Sequence, residues 1–319
     1  MKSDSQRRRN RNGAACMKIT LVGTGRVGSA IAFGLTINPL ASELLLLNRS
    51  RDKAEGDALD LTHAAALVNS NMKIHAGEIA DSKDSDVIIF TASVPFRYPE
   101  QTRLAMGIEN MPILKESIPE LARQSPNAII LMVSNPVDAL TYETIRLTGF
   151  DPKRVIGTGT LVDSIRYRAL LSTRLQIHPE DIRAYIMGEH GDSQFAASSI
   201  AMTGGERFYP SDTSREMFEK TKAMGYEVFR LKGHTSYGIA MATITILDSI
   251  TYDLRHTLPV SVMVDGYLGV EDVCLSMPAV IGREGITRIL HPVLNEEEQD
   301  AFRRSAEIVK QTLVDMEAG

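Results

Sequence analysis

The stretch MKITLVGTGRVGSAIAFGLTI, residues 17–37, constrains the fold more than any other part of the chain. MKITLV is a short apolar run of the kind that forms a strand, GTGRVG follows at once, and SAIAFGLTI has the small and apolar residues of a helix packed on a sheet. Gly23, Gly25 and Gly28 therefore make G-x-G-x-x-G at a strand-turn-helix junction. There the first glycine permits a tight turn, the second lets the backbone approach a pyrophosphate, and the third lets helix and strand pack closely. The helix N-terminus faces the anion. Arg26 and Val27 sit between the last two glycines and count as cofactor-binding candidates with them. A dinucleotide site is expected, an ordinary glycine-rich turn being the alternative.

About twenty residues beyond the last glycine, an NAD-preferring site usually carries an acid that binds the ribose hydroxyls. ELLLLNRSR instead puts Asn48 there, followed by Arg49, Ser50 and Arg51. No carboxylate repels a 2'-phosphate, and cations and a hydroxyl are available to bind one. The cofactor is thus expected to be NAD or NADP, with NADP tolerated or preferred; alternatively Asn48 holds an unphosphorylated ribose and both arginines are solvated.

Downstream, a helix-like RDKAEGDALDLTHAAAL precedes the apolar runs MKIH, DVIIFTA and NAIILMVSNP. Strands alternating with helices predict an α/β fold, a doubly wound parallel sheet with helices on both faces and its ligand outside the C-terminal strand ends. Thr91, Ala92 and Ser93, and then Ser134, follow two of these runs and are further cofactor-binding candidates. VPFRYPEQTR leaves the same edge, carrying Arg97 and Arg103 between prolines on an irregular loop. Guanidinium forks suit carboxylate or phosphate.

A chain of 319 residues, 43% hydrophobic and 24% charged, allows two globular domains. Residues 1–16 are basic and polar and are expected to be a disordered tail; 17–157 form the dinucleotide-binding domain and 158–319 the substrate domain. A net charge of -5 gives no general pull toward nucleic acid or an anionic membrane. No apolar run reaches the roughly 18 to 20 residues of a membrane helix. Two cysteines fit a reducing compartment, hence a cytoplasmic location. The histidines show no metal-ligand spacing, so no metal is expected.

The second half carries the chemistry. TLVDSIRYRALLS is helix-like, with Asp163 and Arg166 three apart and so on one face. IRAYIMGEHGDSQF reads as a strand ending at His190. A histidine at a strand end beside a carboxylate suits proton transfer, because its charge changes near neutrality; a structural histidine is the alternative.

In order along the chain, LVGTGRVGSA, SNPVDALTY, GTGTLVDSIRYR, GEHGDSQF, LKGHTSYGIA and DVCLSMPAVIGREGI resemble the L-lactate and malate dehydrogenase superfamily, from about Met17 to Met316. The resemblance implies a Rossmann domain followed by an α+β substrate domain, assembled as a homodimer or homotetramer. It implies an oxidoreductase that moves hydride between a nicotinamide cofactor and an L-2-hydroxy acid/2-oxo acid pair. By the same resemblance His190 exchanges the proton, Asp163 orients the imidazole, Arg166 clamps the substrate carboxylate, Arg103 polarises the carbonyl from a closing loop, and Asn135 binds near the substrate oxygen.

For the far end of the substrate, counting back from Arg103 puts Arg97 at the family's specificity position, where arginine marks malate enzymes. Counting forward from TAS puts Phe96 there, which favours an apolar side chain. Thr235 and Ile239 would line the pocket. A lactate-like activity is expected, with malate dehydrogenase the alternative if Arg97 faces the substrate. Ser93 replaces a glycine usual in the family, and Ser198 stands where lactate enzymes often carry tryptophan. Arg168 and Arg183 match an anion site found between subunits in some bacterial relatives. A non-catalytic nucleotide-sensing protein is a distant alternative that would not need His190, Asp163, Arg166 and Arg103 together.

Overall fold

The computed structural model describes residues 17–95, 97, 102–207 and 212–318. The apolar runs form β1 (Lys18–Val22), β2 (Glu43–Leu47), β3 (Lys73–Ala76), β4 (Val87–Phe90) and β5 (Ile129–Met132), and the three-residue β6 (Val155–Gly157), which the sequence did not mark, follows them. These pair in parallel in the order β3-β2-β1-β4-β5-β6, the doubly wound order of a Rossmann sheet. Helices α1 (Arg26–Ile37), α2 (Arg51–Leu67), α3 (Arg103–Gln124) and α4 (Val137–Thr148) make the crossovers. Ile19, Leu21, Leu44, Leu45, Leu46, Ile88, Ile89, Ile130 and Leu131 are wholly buried. Burial on both faces explains why these strands are unbroken apolar runs rather than alternating ones.

The second half continues with α5 (Leu161–Leu175), the short strands β7 (Ile182–Arg183), β8 (Ile186–Met187), β9 (Phe195–Ala196), β10 (Met202–Thr203) and β11 (Glu206–Arg207), then α6 (Asp212–Lys232) and α7 (Tyr237–Tyr252). The antiparallel β12 (His256–Asp265), β13 (Glu271–Gly282) and β14 (Gly285–Ile289) precede α8 (Glu296–Ala318). Because β12 pairs with β6, these three extend the Rossmann sheet to nine strands. Among the described residues, no helix is long and apolar enough to cross a membrane.

One level of this sheet positions the site. Leu47, Val22, Phe90, Met132 and Gly157 are successive register partners at the C-terminal ends of β2, β1, β4, β5 and β6. The row continues through Ser261 of β12 and Ser276 of β13 to Gly188, which bridges Ser276. Loops leaving these ends therefore emerge side by side, and His190 lies two residues past the row's last member.

His190 does not end a continuous strand, contrary to the sequence expectation. β7 pairs with β10, whereas β8 pairs with β9, so the chain changes sheets at Ala184 and Tyr185. The carbonyl of Ala184 accepts from Arg168 Nε at 2.8 Å and that of Tyr185 from the Ala197 amide at 2.9 Å. Those partners satisfy the backbone where the ladder is interrupted.

Candidate active site

The glycine cradle is built by close packing at two positions and openness at the third. Gly23 has φ +95°, and its amide donates to the Leu47 carbonyl at 2.7 Å. A Cβ on Gly28 would lie 1.9 Å from the Gly23 carbonyl oxygen, so only glycine lets α1 approach β1 this closely. Thr91 Oγ1 donates to that same oxygen at 2.6 Å, tying the end of β4 to the turn. Gly25 differs: a Cβ there would meet no protein atom within 4 Å. Protein packing does not require glycine at 25, whereas a pyrophosphate approaching the backbone would. As N-cap, Gly25 gives α1 no side-chain cap, and the first turn has no acid. Its amides are thus left to an anionic ligand. These features fit a dinucleotide.

Around the cradle, Val27 packs on the core, and Arg26 donates to the Gly233 carbonyl at 2.7 Å, reaching the turn before α7. Ser134 Oγ donates to the Ala92 carbonyl at 2.7 Å. Asn110 organises the neighbouring loop: its Nδ2 donates to Ser93 Oγ at 3.0 Å and to the Asn135 carbonyl at 2.7 Å, and its Oδ1 accepts from the Val94 amide at 2.8 Å. Sequence reasoning missed this residue. Its signal was a polar side chain on the buried stripe of α3, among Met106, Gly107, Met111 and Leu114.

At the end of β2, the groups expected to meet a 2'-phosphate already have partners. Asn48 Nδ2 donates to Thr24 Oγ1 at 2.7 Å, and its Oδ1 accepts from the Ser50 amide at 3.1 Å. Ser50 caps α2 by accepting from the Lys53 amide. Arg51 pairs with Glu55 at 2.9 Å and Glu78 at 3.0 Å, and Arg49 is exposed.

The catalytic candidates converge from α5, α3 and the loop after β8. His190 Nδ1 lies 2.6 Å from Asp163 Oδ2, and Arg166 Nη1 lies 3.1 Å from Asp163 Oδ1. Arg103, the first residue of α3, donates to the His190 carbonyl at 2.5 Å. Asp163 is 3% exposed. Burial pushes its carboxyl upward, but the charge and hydrogen bond of His190, backed by Arg166 and Arg103, outweigh it and hold the carboxyl below its ordinary value. An ionised carboxylate only accepts, so His190 Nδ1 carries the proton that donates to it and Nε2 is left for chemistry.

The start of α5 is fixed by β8 and β13. Thr160 Oγ1 donates to the Ile186 carbonyl at 2.6 Å, Ser164 Oγ accepts from the Ile186 amide at 2.9 Å, and the Thr160 amide donates to Ser276 Oγ at 3.0 Å. Asn135 precedes α4 through a cis bond to Pro136, its Oδ1 accepting from the Val137 amide at 3.3 Å. Asp138, three residues on, accepts from the His190 amide at 2.7 Å and so links this turn to the histidine. The sequence reading did not single out Asp138.

Among the specificity candidates, Thr235 and Ile239 are half-buried and flank the start of α7, where a Cβ on Gly238 would lie 3.4 Å from Val162 Cγ2 beside Asp163. Arg97 is exposed and pairs with Glu109 of α3 at 2.5 Å. Phe96 lies outside the described residues. Arg168 Nη2 has no hydrogen-bond partner among the described residues, and Arg183 is exposed on β7.

A dinucleotide cradle in the first half and an imidazole-carboxylate pair with a guanidinium in the second fit a nicotinamide-dependent dehydrogenase. Residues 17–157 match the lactate/malate dehydrogenase NAD binding domain and residues 160–318 the alpha/beta C-terminal domain. The chain belongs to the lactate/malate dehydrogenase family, uses NAD and is a lactate-dehydrogenase-like oxidoreductase. It is 40% identical to L-lactate dehydrogenase of Gloeobacter violaceus, over 93% of this chain and 92% of that one. L-lactate dehydrogenase of Clostridium perfringens is 39% identical, over 92% and 95%. Among solved structures, the minor L-lactate dehydrogenase from Enterococcus mundtii superposes with a TM-score of 0.89 at 33% identity, covering 93% of this chain and 97% of that one.

Proposed function

We propose that His190, Asp163, Arg166, Arg103 and Asn135 carry the reversible reduction of a 2-oxo monocarboxylate such as pyruvate. A nicotinamide cofactor held at the Gly23–Gly28 turn would supply hydride chemistry, giving up a hydride on reduction and accepting one on oxidation. His190 gives its Nε2 proton to the oxygen that becomes the hydroxyl and takes it back on oxidation. Asp163 holds the imidazole in the required tautomer and stabilises its charged form. Arg166 grips the substrate carboxylate as a fork, which sets the face presented to the hydride. Arg103 stabilises the negative charge that gathers on the carbonyl oxygen, with Asn135 beside it. The observation that carries this reading is the 2.6 Å bond between His190 Nδ1 and buried Asp163.

Two finer points follow. The pairing of Arg97 with Glu109 supports a monocarboxylate over malate, because the guanidinium has a carboxylate partner without the substrate's. The engagement of Asn48, Ser50 and Arg51 supports NAD as the preferred cofactor, with NADP tolerated through Arg49. Steady-state rates with pyruvate and oxaloacetate, each with NADH and NADPH, test both. Pyruvate with NADH will exceed each alternative by at least about tenfold in kcat/KM, about 1.4 kcal/mol of transition-state stabilisation. An oxaloacetate preference that vanishes in Arg97→Gln would make the protein a malate enzyme.

We also infer a homodimer or homotetramer in a reducing, cytoplasmic setting. Phe33 and Ile37 of α1 and Tyr237 and Met241 of α7 are each more than half exposed, and α1 packs against α7. Exposed apolar faces of that kind suit association of identical subunits.

A further inference from the structure

We propose that Asp138 is a positioning residue for His190: its carboxylate, anchored by Ser261, holds the catalytic loop so that the imidazole meets both Asp163 and the substrate. This rests on the proton-transfer role assigned above to His190.

Asp138 is the second residue of α4 and is 3% exposed. Both carboxylate oxygens are used. Oδ2 accepts from the His190 amide at 2.7 Å, and Oδ1 accepts from Ser261 Oγ at 2.5 Å. Ser261 belongs to the register row that runs through Ser276 to Gly188, so the carboxylate joins the sheet at one oxygen to the catalytic loop at the other. Asn135, three residues earlier, lies on the same turn, which couples two of the candidate groups through one short segment.

Burying a carboxylate is costly, yet Asp138 accepts at both oxygens, which an amide side chain with its single accepting oxygen cannot do. The groups facing it are His190 and Glu189 from the catalytic loop, Ser261 from β12 and Cys274 from β13. Burial raises the Asp138 carboxyl to about 6, against the pull of Ser261, the His190 amide and the His190 charge, with Glu189 adding to the rise. A carboxyl whose folded value lies above its unfolded one stabilises the fold at low pH, and that contribution is lost as pH rises through about 6. At neutral pH the ionised group therefore works against stability. What it offers in return is a second negative charge facing the imidazolium.

Asp138→Asn separates this role from packing. In the full-length protein at neutral pH, the variant will keep or exceed the parental Tm, while kcat for pyruvate reduction with NADH falls about tenfold to a hundredfold. Reduction takes up a proton at the carbonyl oxygen, so acid does not itself oppose the proton-transfer step in this direction. The parent will therefore lose activity reversibly below about pH 6 as Asp138 is neutralised, and Asp138→Asn will lack that limb. Ser261→Ala keeps the carboxylate but removes a donor, and will move the limb to higher pH. Parental kcat in Asp138→Asn, a drop in Tm that accounts for its lost activity, or an unmoved limb in Ser261→Ala would each overturn the assignment. None of these bears on whether His190 transfers the proton, which substitution of His190 itself decides.

Discussion

Asp163→Asn will lower pyruvate reduction and lactate oxidation by about 10⁴-fold, the scale reached when a histidine's orienting carboxylate is made an amide. The side chain is almost completely buried, and both its oxygens are engaged, one by His190 and one by Arg166. An asparagine of the same shape can place only one oxygen. If that oxygen faces Arg166, the amide nitrogen turns toward His190 Nδ1 and asks it to accept. The proton then sits on Nε2, which is the wrong tautomer for taking a proton from lactate. If the oxygen faces His190 instead, the tautomer survives but the charge opposing the imidazolium is gone. Steady-state rates in both directions check this, with circular dichroism confirming the fold. A loss smaller than about tenfold would remove Asp163 from the mechanism.

Arg166→Gln will cost roughly 10²- to 10³-fold in kcat/KM for pyruvate, the range expected when one partner of a desolvated charge pair is truncated. Arg166 leans on Asp163 at 3.1 Å, and its side chain is 22% exposed, so the guanidinium is pre-positioned yet open to a ligand. The loss will appear mainly in KM, because the substrate carboxylate is gripped in ground and transition states alike. Arg166→Lys will recover only part of it, since an ammonium keeps the charge but not the planar fork. Equal activity of the glutamine variant and the parent would place the carboxylate clamp elsewhere.

Local sequence carried the parts of this molecule that depend on backbone geometry or on one element. The G-x-G-x-x-G turn was legible because Gly23 takes a positive φ of +95° and Gly28 packs against the Gly23 carbonyl, both local demands of one strand-turn-helix unit. Strands β1, β2, β4 and β5 were legible because burial on both faces makes them continuous apolar runs. Asp163 and Arg166 could be paired from their helical spacing, and His190 could be singled out as a candidate near a carboxylate.

Contacts made across the chain were not legible in the same way. Asp138 meets Ser261 over 123 positions and His190 over 52, so no local pattern marks it. Asn48 and Arg51 looked available for a 2'-phosphate because Thr24 and Glu78, 24 and 27 positions away, become their partners only in the folded chain. The strand expected through residue 190 divides because its two ends pair with different strands, β10 and β9. Motif resemblance supplied the expected role of Arg103, and the fold adds that its guanidinium reaches the carbonyl of His190.

Proton transfer at position 190 is tested most directly by His190→Gln, assayed for NADH binding by fluorescence and for pyruvate reduction in the same preparation. Cofactor affinity will be unchanged, because the glycine cradle lies on separate elements, while turnover falls about 10²- to 10⁴-fold with loss of the general acid. A variant that binds NADH normally and reduces pyruvate at the parental rate would contradict the mechanism outright.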